Sequence, residues 1–134
     1  VLLVEDEPSV RGALARVLAR AGFAVLEATH GAEALTVWHA DPERIALVLS
    51  DVRMPVMSGP EFVRQLRGAG SRTPVLLMSG FADEALVRDL PSTVAQVLAK
   101  PFPSAVLLAA VRDALAVAER EGGGQGLPVE GDRG

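Results

Sequence analysis

Residues 45–55 read Ile-Ala-Leu-Val-Leu-Ser-Asp-Val-Arg-Met-Pro. Ile45 to Leu49 are apolar on consecutive positions, the pattern of a central strand covered on both faces. The run stops at Ser50-Asp51, and Met54-Pro55 with Ser58-Gly59 marks a loop, so the Asp51 carboxylate is presented at a sheet edge. Three other short apolar runs end the same way: Val1 to Val4 at Glu5-Asp6, Val75 to Met78 at Ser79, and Val94 to Ala99 at Lys100. A fifth strand is read at Ala24 to Ala28. Helices are read between them. The first carries Val10, Ala13, Leu14, Val17, Leu18 and Ala21 at i, i+3, i+4 spacing from Pro8 until Gly22 ends it. The second carries Ala34, Leu35 and Trp38 and stops near Asp41-Pro42. The others span Pro60 to Arg67, Ala82 to Leu90 and Ser104 to about Arg120. Five strands and five helices in strict alternation give a doubly wound α/β fold, a five-stranded parallel sheet with right-handed crossovers, (βα)5. Strand order does not follow from pattern alone; of the two common orders, the flavodoxin-like 2-1-3-4-5 would place the first and third strands side by side at a switch point and bring Glu5, Asp6 and Asp51 together where ligands of open sheets bind.

At 134 residues there is room for one domain, expected over 1–120. Residues 121–134 hold six of the thirteen glycines and no apolar periodicity, and read as a flexible tail or linker, with a helical extension as the alternative. Hydrophobic content of 49% with 22% charged residues suits a well-cored domain, and no apolar run reaches the roughly 18 to 20 residues of a membrane span. With no cysteine there is no disulfide, thiolate nucleophile or Cys-based metal site, which fits a reducing compartment; cytoplasm is the expected location. Net charge is −4 without a basic stripe, so direct nucleic-acid contact is not expected. The chain opens on Val1 inside an apolar run, and the expectation is that it is a fragment with residues missing upstream.

Three carboxylates within about 4 to 6 Å repel one another by roughly 3 to 4 kcal/mol per pair at an effective dielectric near 20. A site with few protein oxygens, open to water and substrate, suits Mg²⁺. The acidic triplet Glu5-Asp6-Glu7 reads equally well as a helix N-cap followed by Pro8. Asp51 reads as a nucleophile toward phosphorus or as a solvated loop residue. Ser79-Gly80 offers a hydroxyl beside a residue with no side chain to block approach, or an ordinary turn. Lys100 is the single lysine among thirteen basic residues, a point charge able to reach a phosphoryl group.

Together these residues resemble the receiver domains of two-component response regulators over roughly residues 1 to 120. The motifs are Val-Leu-Leu-Val-Glu-Asp-Glu at 1–7, Gly-Phe-Ala-Val-Leu-Glu-Ala-Thr-His-Gly-Ala-Glu-Ala-Leu at 22–35, Asp-Val-Arg-Met-Pro-Val-Met-Ser-Gly at 51–59, Leu-Met-Ser-Gly at 77–80 and Lys-Pro-Phe at 100–102. The resemblance implies that Asp51 is the phosphoacceptor and that Glu5 and Asp6 hold Mg²⁺ together with Asp51 and the backbone carbonyl of Arg53. It makes Ser79 the hydroxyl residue and Lys100 the phosphate contact, with a cis Lys100-Pro101 bond. The implied partner is a histidine kinase or histidine phosphotransfer domain, and the chain is expected to be a monomer or weak dimer. It would be a signalling module that at most catalyses its own phosphorylation and dephosphorylation, either stand-alone or cut from a hybrid sensor kinase. An interaction module that is never phosphorylated is the alternative. A small phosphohydrolase is a third reading, weakened because Arg53 stands where an Asp-x-Asp signature needs its second acid.

Many receivers carry an aromatic residue three positions before the lysine; here Val97 stands there. Arg53 and Phe81, two residues after Asp51 and Ser79, flank the expected path of an attacking water. Val10, Arg11 and Leu14 are candidate contacts for a phosphodonor. Trp38 reads as packing rather than binding, His39 is not expected to be a phosphodonor, and the alanine-rich final helix is expected to pack on the core.

Overall fold

The structure is a computed structural model that describes residues 1–125, with side chains through residue 120. Its strands are β1 (Leu2–Val4), β2 (Leu26–Ala28), β3 (Val48–Asp51), β4 (Val75–Ser79) and β5 (Gln96–Ala99), all parallel in the order β2-β1-β3-β4-β5. The helices are α1 (Pro8–Arg20), α2 (Gly31–Ala40), α3 (Gly59–Gly68), α4 (Glu84–Arg88) and α5 (Ser104–Gln125), with a 3₁₀ turn at Pro42–Arg44. The fold is the doubly wound one expected.

Side-chain alternation sorts the core into two layers. Leu2, Val4, Val48, Val75 and Leu77 face α2, α3 and α4, where Trp38, Phe62, Val63 and Leu66 are buried among them. Leu3, Leu49, Leu76, Met78 and Leu98 face α1 and α5, meeting Leu18, Leu107 and Val111. Trp38 is thus packing, and the α5 alanines Ala110 and Ala114 lie in the core.

The ladders are shorter than the apolar runs. Ile45 and Leu47 are buried in opposite layers yet precede β3, because the 3₁₀ turn closes through Ile45 N–H to Pro42 O and pairing begins only where β1 and β4 lie alongside. Likewise β2 begins at Leu26 and β5 at Gln96. The last helix runs to Gln125, five residues beyond the Arg120 boundary read from composition. A long helix already nucleated extends through glycine at roughly 1 kcal/mol per residue. The rest of the predicted tail, 126–134, lies outside the described residues.

The loop from β3 to α3 shapes the site. Gly59 N–H donates to Val52 O at 2.7 Å, and a Cβ on Gly59 would fall 2.9 Å from Val52 Cα and 3.1 Å from Asp51 O. Val56, exposed, holds φ at 72°, a left-handed conformation that costs an L-residue roughly 1–2 kcal/mol. The Lys100-Pro101 bond is cis, as the resemblance implied.

Two substitutions test this loop in urea unfolding. Gly59→Ala is expected to destabilise by about 1–3 kcal/mol through overpacking, although alanine is the better helix former; a stabilised variant contradicts the close approach. Val56→Gly is expected to stabilise by about 0.5–1 kcal/mol, since relief of φ strain exceeds the entropy gained by the unfolded chain; a loss of stability contradicts the strain.

Candidate functional site

The switch point between β1 and β3 delivers the acidic groups to one place. Glu5 follows β1 and is buried; Asp51 closes β3 and is buried; Asp6 is exposed above them. One carboxylate oxygen from each lies within 4.8 Å of the others. The triplet divides its labour. Glu7 is the N-cap of α1, its Oε1 accepting from Ser9 N–H at 3.2 Å, while Glu5 turns inward. The N-cap reading of Glu5-Asp6-Glu7 thus falls on Glu7, while Glu5 and Asp6 lie beside Asp51.

Lys100, one residue past β5, reaches across the sheet edge. Its Nζ donates to Asp51 Oδ2 at 2.9 Å and stands 3.7 Å from Glu5 Oε1. Burial alone would lower its pKa, but the hydrogen bond and the charges of Asp51 and Glu5 outweigh that and hold the ammonium above its ordinary value. Glu5 Oε2 accepts from Glu7 N–H at 3.1 Å, whereas Oε1 is buried with no hydrogen-bond partner. Burial, with the neighbouring Asp51 charge adding to it, pushes Glu5 up to about 7 against the opposing Glu7 N–H and Lys100. An orphaned buried carboxylate oxygen beside two more carboxylates is a donor set for a hard divalent cation.

These groups line a cleft of about 810 Å³ whose far wall is Arg53, Gly80, Phe81 and Asp83. A cavity of about 870 Å³ at the other sheet edge, between α5 and the loops entering β4 and β5, contains one carboxylate, Asp113, and no cluster of ligands. The smaller cleft is the one with the chemistry.

The cleft has the plan of a phosphoacceptor site, and the family pattern described as "Response regulator receiver domain" matches residues 1–112. The chain belongs to the response regulator receiver domain family. It is 39% identical over 116 residues to the sensor kinase CckA of Brucella abortus, covering 86% of this chain and 12% of that protein. It is 40% identical over 114 residues to the response regulator MprA of Mycobacterium tuberculosis, covering 84% of this chain and 48% of the relative. The crystal structure of the receiver domain from the hybrid histidine kinase CckA superposes with a TM-score of 0.72 at 36% identity, covering 85% of this chain and 96% of that one. The receiver domain of a histidine kinase from Syntrophus aciditrophicus gives 0.79 at 29% identity, covering 89% and 91%. The chain spans about half or less of the length of CckA and MprA. It is therefore a receiver domain of two-component systems, a signalling module with phosphoacceptor function. No helix among the described residues is long and apolar enough to cross a membrane.

The receiver's other predicted residues fall unevenly. Ser79 ends β4, half-buried, with its carbonyl accepting from Lys100 N–H at 2.8 Å. Val97 is partly buried against the layer that holds Leu86, Val87 and Leu90, so an aliphatic fills the place of the family aromatic. Val10 is exposed on the cleft, but Arg11 is engaged internally, donating to Glu5 O at 2.9 Å and pairing with Glu27 at 3.2 Å. Leu14 packs against the α1/α5 layer. Sequence reading missed Asp83. Its buried carboxylate accepts from Gly80 N–H at 2.6 Å and from Arg53 Nε at 2.8 Å. An acid four residues after Ser79, just before a helix, was the available signal, but its burial depends on an arginine thirty residues away.

The raised Glu5 pKa sets a pH dependence. From its ordinary value of 4.5 up to about 7 the unfolded chain ionises Glu5 while the folded chain keeps it protonated, so stability falls as pH rises through that window. In metal-free buffer Glu5→Gln is expected to match the wild type near pH 4 and to exceed it by about 2–3 kcal/mol near pH 8. Urea unfolding at each pH measures this, and a difference that stays flat between the two is inconsistent with it.

Proposed function

We propose that Asp51 accepts a phosphoryl group from a phosphohistidine on a partner histidine kinase or phosphotransfer domain, with Mg²⁺ held by Glu5, Asp6, Asp51 and the backbone carbonyl of Arg53. The observation that supports this most directly is the Lys100–Asp51 contact at 2.9 Å inside a three-carboxylate cleft with an orphaned Glu5 oxygen. A carboxylate oxygen of Asp51 attacks phosphorus in line as the phosphorus–nitrogen bond breaks and its electron pair returns to nitrogen, so the imidazole, protonated on its other nitrogen, leaves as the neutral ring. When bound, Mg²⁺ supplies positive charge to the transferring oxygens. Lys100 exchanges its bond to Asp51 for one to a phosphoryl oxygen, so the ammonium is already in position before transfer. Ser79, at the end of the adjacent strand, donates its hydroxyl to another of those oxygens. Glu5 and Asp6 transfer no proton in this scheme; they anchor the cation, whose binding requires Glu5 to be ionised.

The product is an acyl phosphate, lost by water attack at phosphorus. Arg53 and Phe81 stand on the cleft wall through which water reaches Asp51, and their bulk slows that attack.

Incubation with acetyl phosphate and Mg²⁺ followed by intact mass tests the reading. A single phosphoryl adduct is expected that is lost in Asp51→Asn and in the presence of a chelator. No adduct leaves the non-phosphorylated interaction module standing, and continuous turnover without an adduct favours a phosphohydrolase. In the same assay Arg53→Ala and Phe81→Ala are expected to shorten the adduct lifetime, each by up to about tenfold, or 1.4 kcal/mol of barrier. Unchanged lifetimes rule out the shielding role.

A further inference from the structure

We infer that Asp83 is a positioning residue that holds the Arg53 guanidinium away from Asp51 in the resting receiver, and that the aspartyl phosphate draws Arg53 off, releasing the β4–α4 loop. This rests on Asp51 being the acceptor. Two cations line the cleft among the described residues, Lys100 and Arg53. Lys100 is committed to Asp51 and stands near Glu5. Arg53 is turned to the opposite wall, its Nε donating to Asp83 Oδ1 at 2.8 Å and its Nη2 to Ala82 O at 3.0 Å. The other Asp83 oxygen accepts from Gly80 N–H at 2.6 Å. One carboxylate thus ties the residue after Ser79, the turn before α4 and the residue two beyond the acceptor into a single knot.

The two partners differ in exposure, and that difference makes the knot a switch rather than a brace. Arg53's side chain is 62% exposed, so only its two hydrogen bonds hold it to this wall, whereas that of Asp83 is 6% exposed. Phosphorylation adds up to about two negative charges at Asp51. Guanidinium prefers a phosphate, which it meets through two parallel hydrogen bonds, over a lone carboxylate oxygen. Once Arg53 leaves, Asp83 is a buried charge with one N–H as its remaining partner, a state costly enough that the loop opens to water. The loop carries the fully exposed Phe81 and leads into α4, a five-residue helix with no fully buried residue to resist the change. With Val97 in place of an aromatic, this route carries the phosphorylation state from the cleft to the α4 surface.

Hydrogen exchange on the full chain with Mg²⁺, with and without acetyl phosphate, tests this, with intact mass reporting the adduct in the same samples. In the wild type, amides of residues 80–90 are expected to exchange about tenfold faster once the adduct forms, as loss of a charged hydrogen bond implies. In Asp83→Asn and in Arg53→Gln they are expected to exchange about tenfold faster already at rest, with little further change on phosphorylation. Faster resting exchange with the phosphorylation increment intact shows a static brace and overturns the switch, as does resting exchange equal to wild type in both variants. A missing adduct removes the acceptor assignment and the release with it, whereas an adduct that leaves 80–90 unaltered removes the release alone.

Discussion

At the carboxyl edge of the sheet one ammonium group faces three carboxyl groups, and most of what is distinctive here follows from that imbalance. Lys100 neutralises Asp51 directly and Glu5 at longer range, while Asp6 remains in solvent. The arrangement survives because two acids are held by packed strands and because burial raises Glu5 to about 7, so that it is only partly ionised near neutral pH. A pocket left short of positive charge is prepared for whatever brings it, and a divalent cation meets that condition. Stability gained elsewhere, in two apolar layers, is set against a site that would not form if its own groups had to hold it together.

Phosphoacceptor chemistry asks little covalent work of the protein, so the position of each charge is the catalyst. Position comes from the ladder. Parallel register sets Ser50 against Val4 and Met78 against Asp51, and hence where Glu5, Asp51 and Ser79 emerge. The loop beyond β3 then passes so close to α3 that only a hydrogen atom fits on Gly59. Arg53 serves twice in the proposed scheme, its backbone toward the metal and its side chain toward Asp83.

Much of this was legible from residue order. Consecutive apolar residues at 45–49 implied a strand buried on both faces, and polar residues at the strand ends named Glu5, Asp6, Asp51, Ser79 and Lys100 before any coordinates. Three things were not legible, each for a physical reason. Hydrophobicity reports burial rather than pairing, so Ile45 looked like a strand residue though it closes a 3₁₀ turn ahead of β3. Glu5 and Glu7 are chemically alike, and only the entry angle of α1 decides which one caps and which one is buried. Asp83 owes its burial to Arg53 from another loop, and such a pairing leaves no mark in local pattern.

The order β2-β1-β3-β4-β5 assembles the cleft from residues 5, 6, 51, 53, 80 and 100, which lie at nearly every stage of the described chain. During synthesis Asp51 leaves the ribosome long before Lys100, so an incomplete chain possesses the proposed nucleophile without the ammonium that faces it. In the proposed scheme the full set of groups is thus acquired late and all at once, when β5 joins the edge of the sheet.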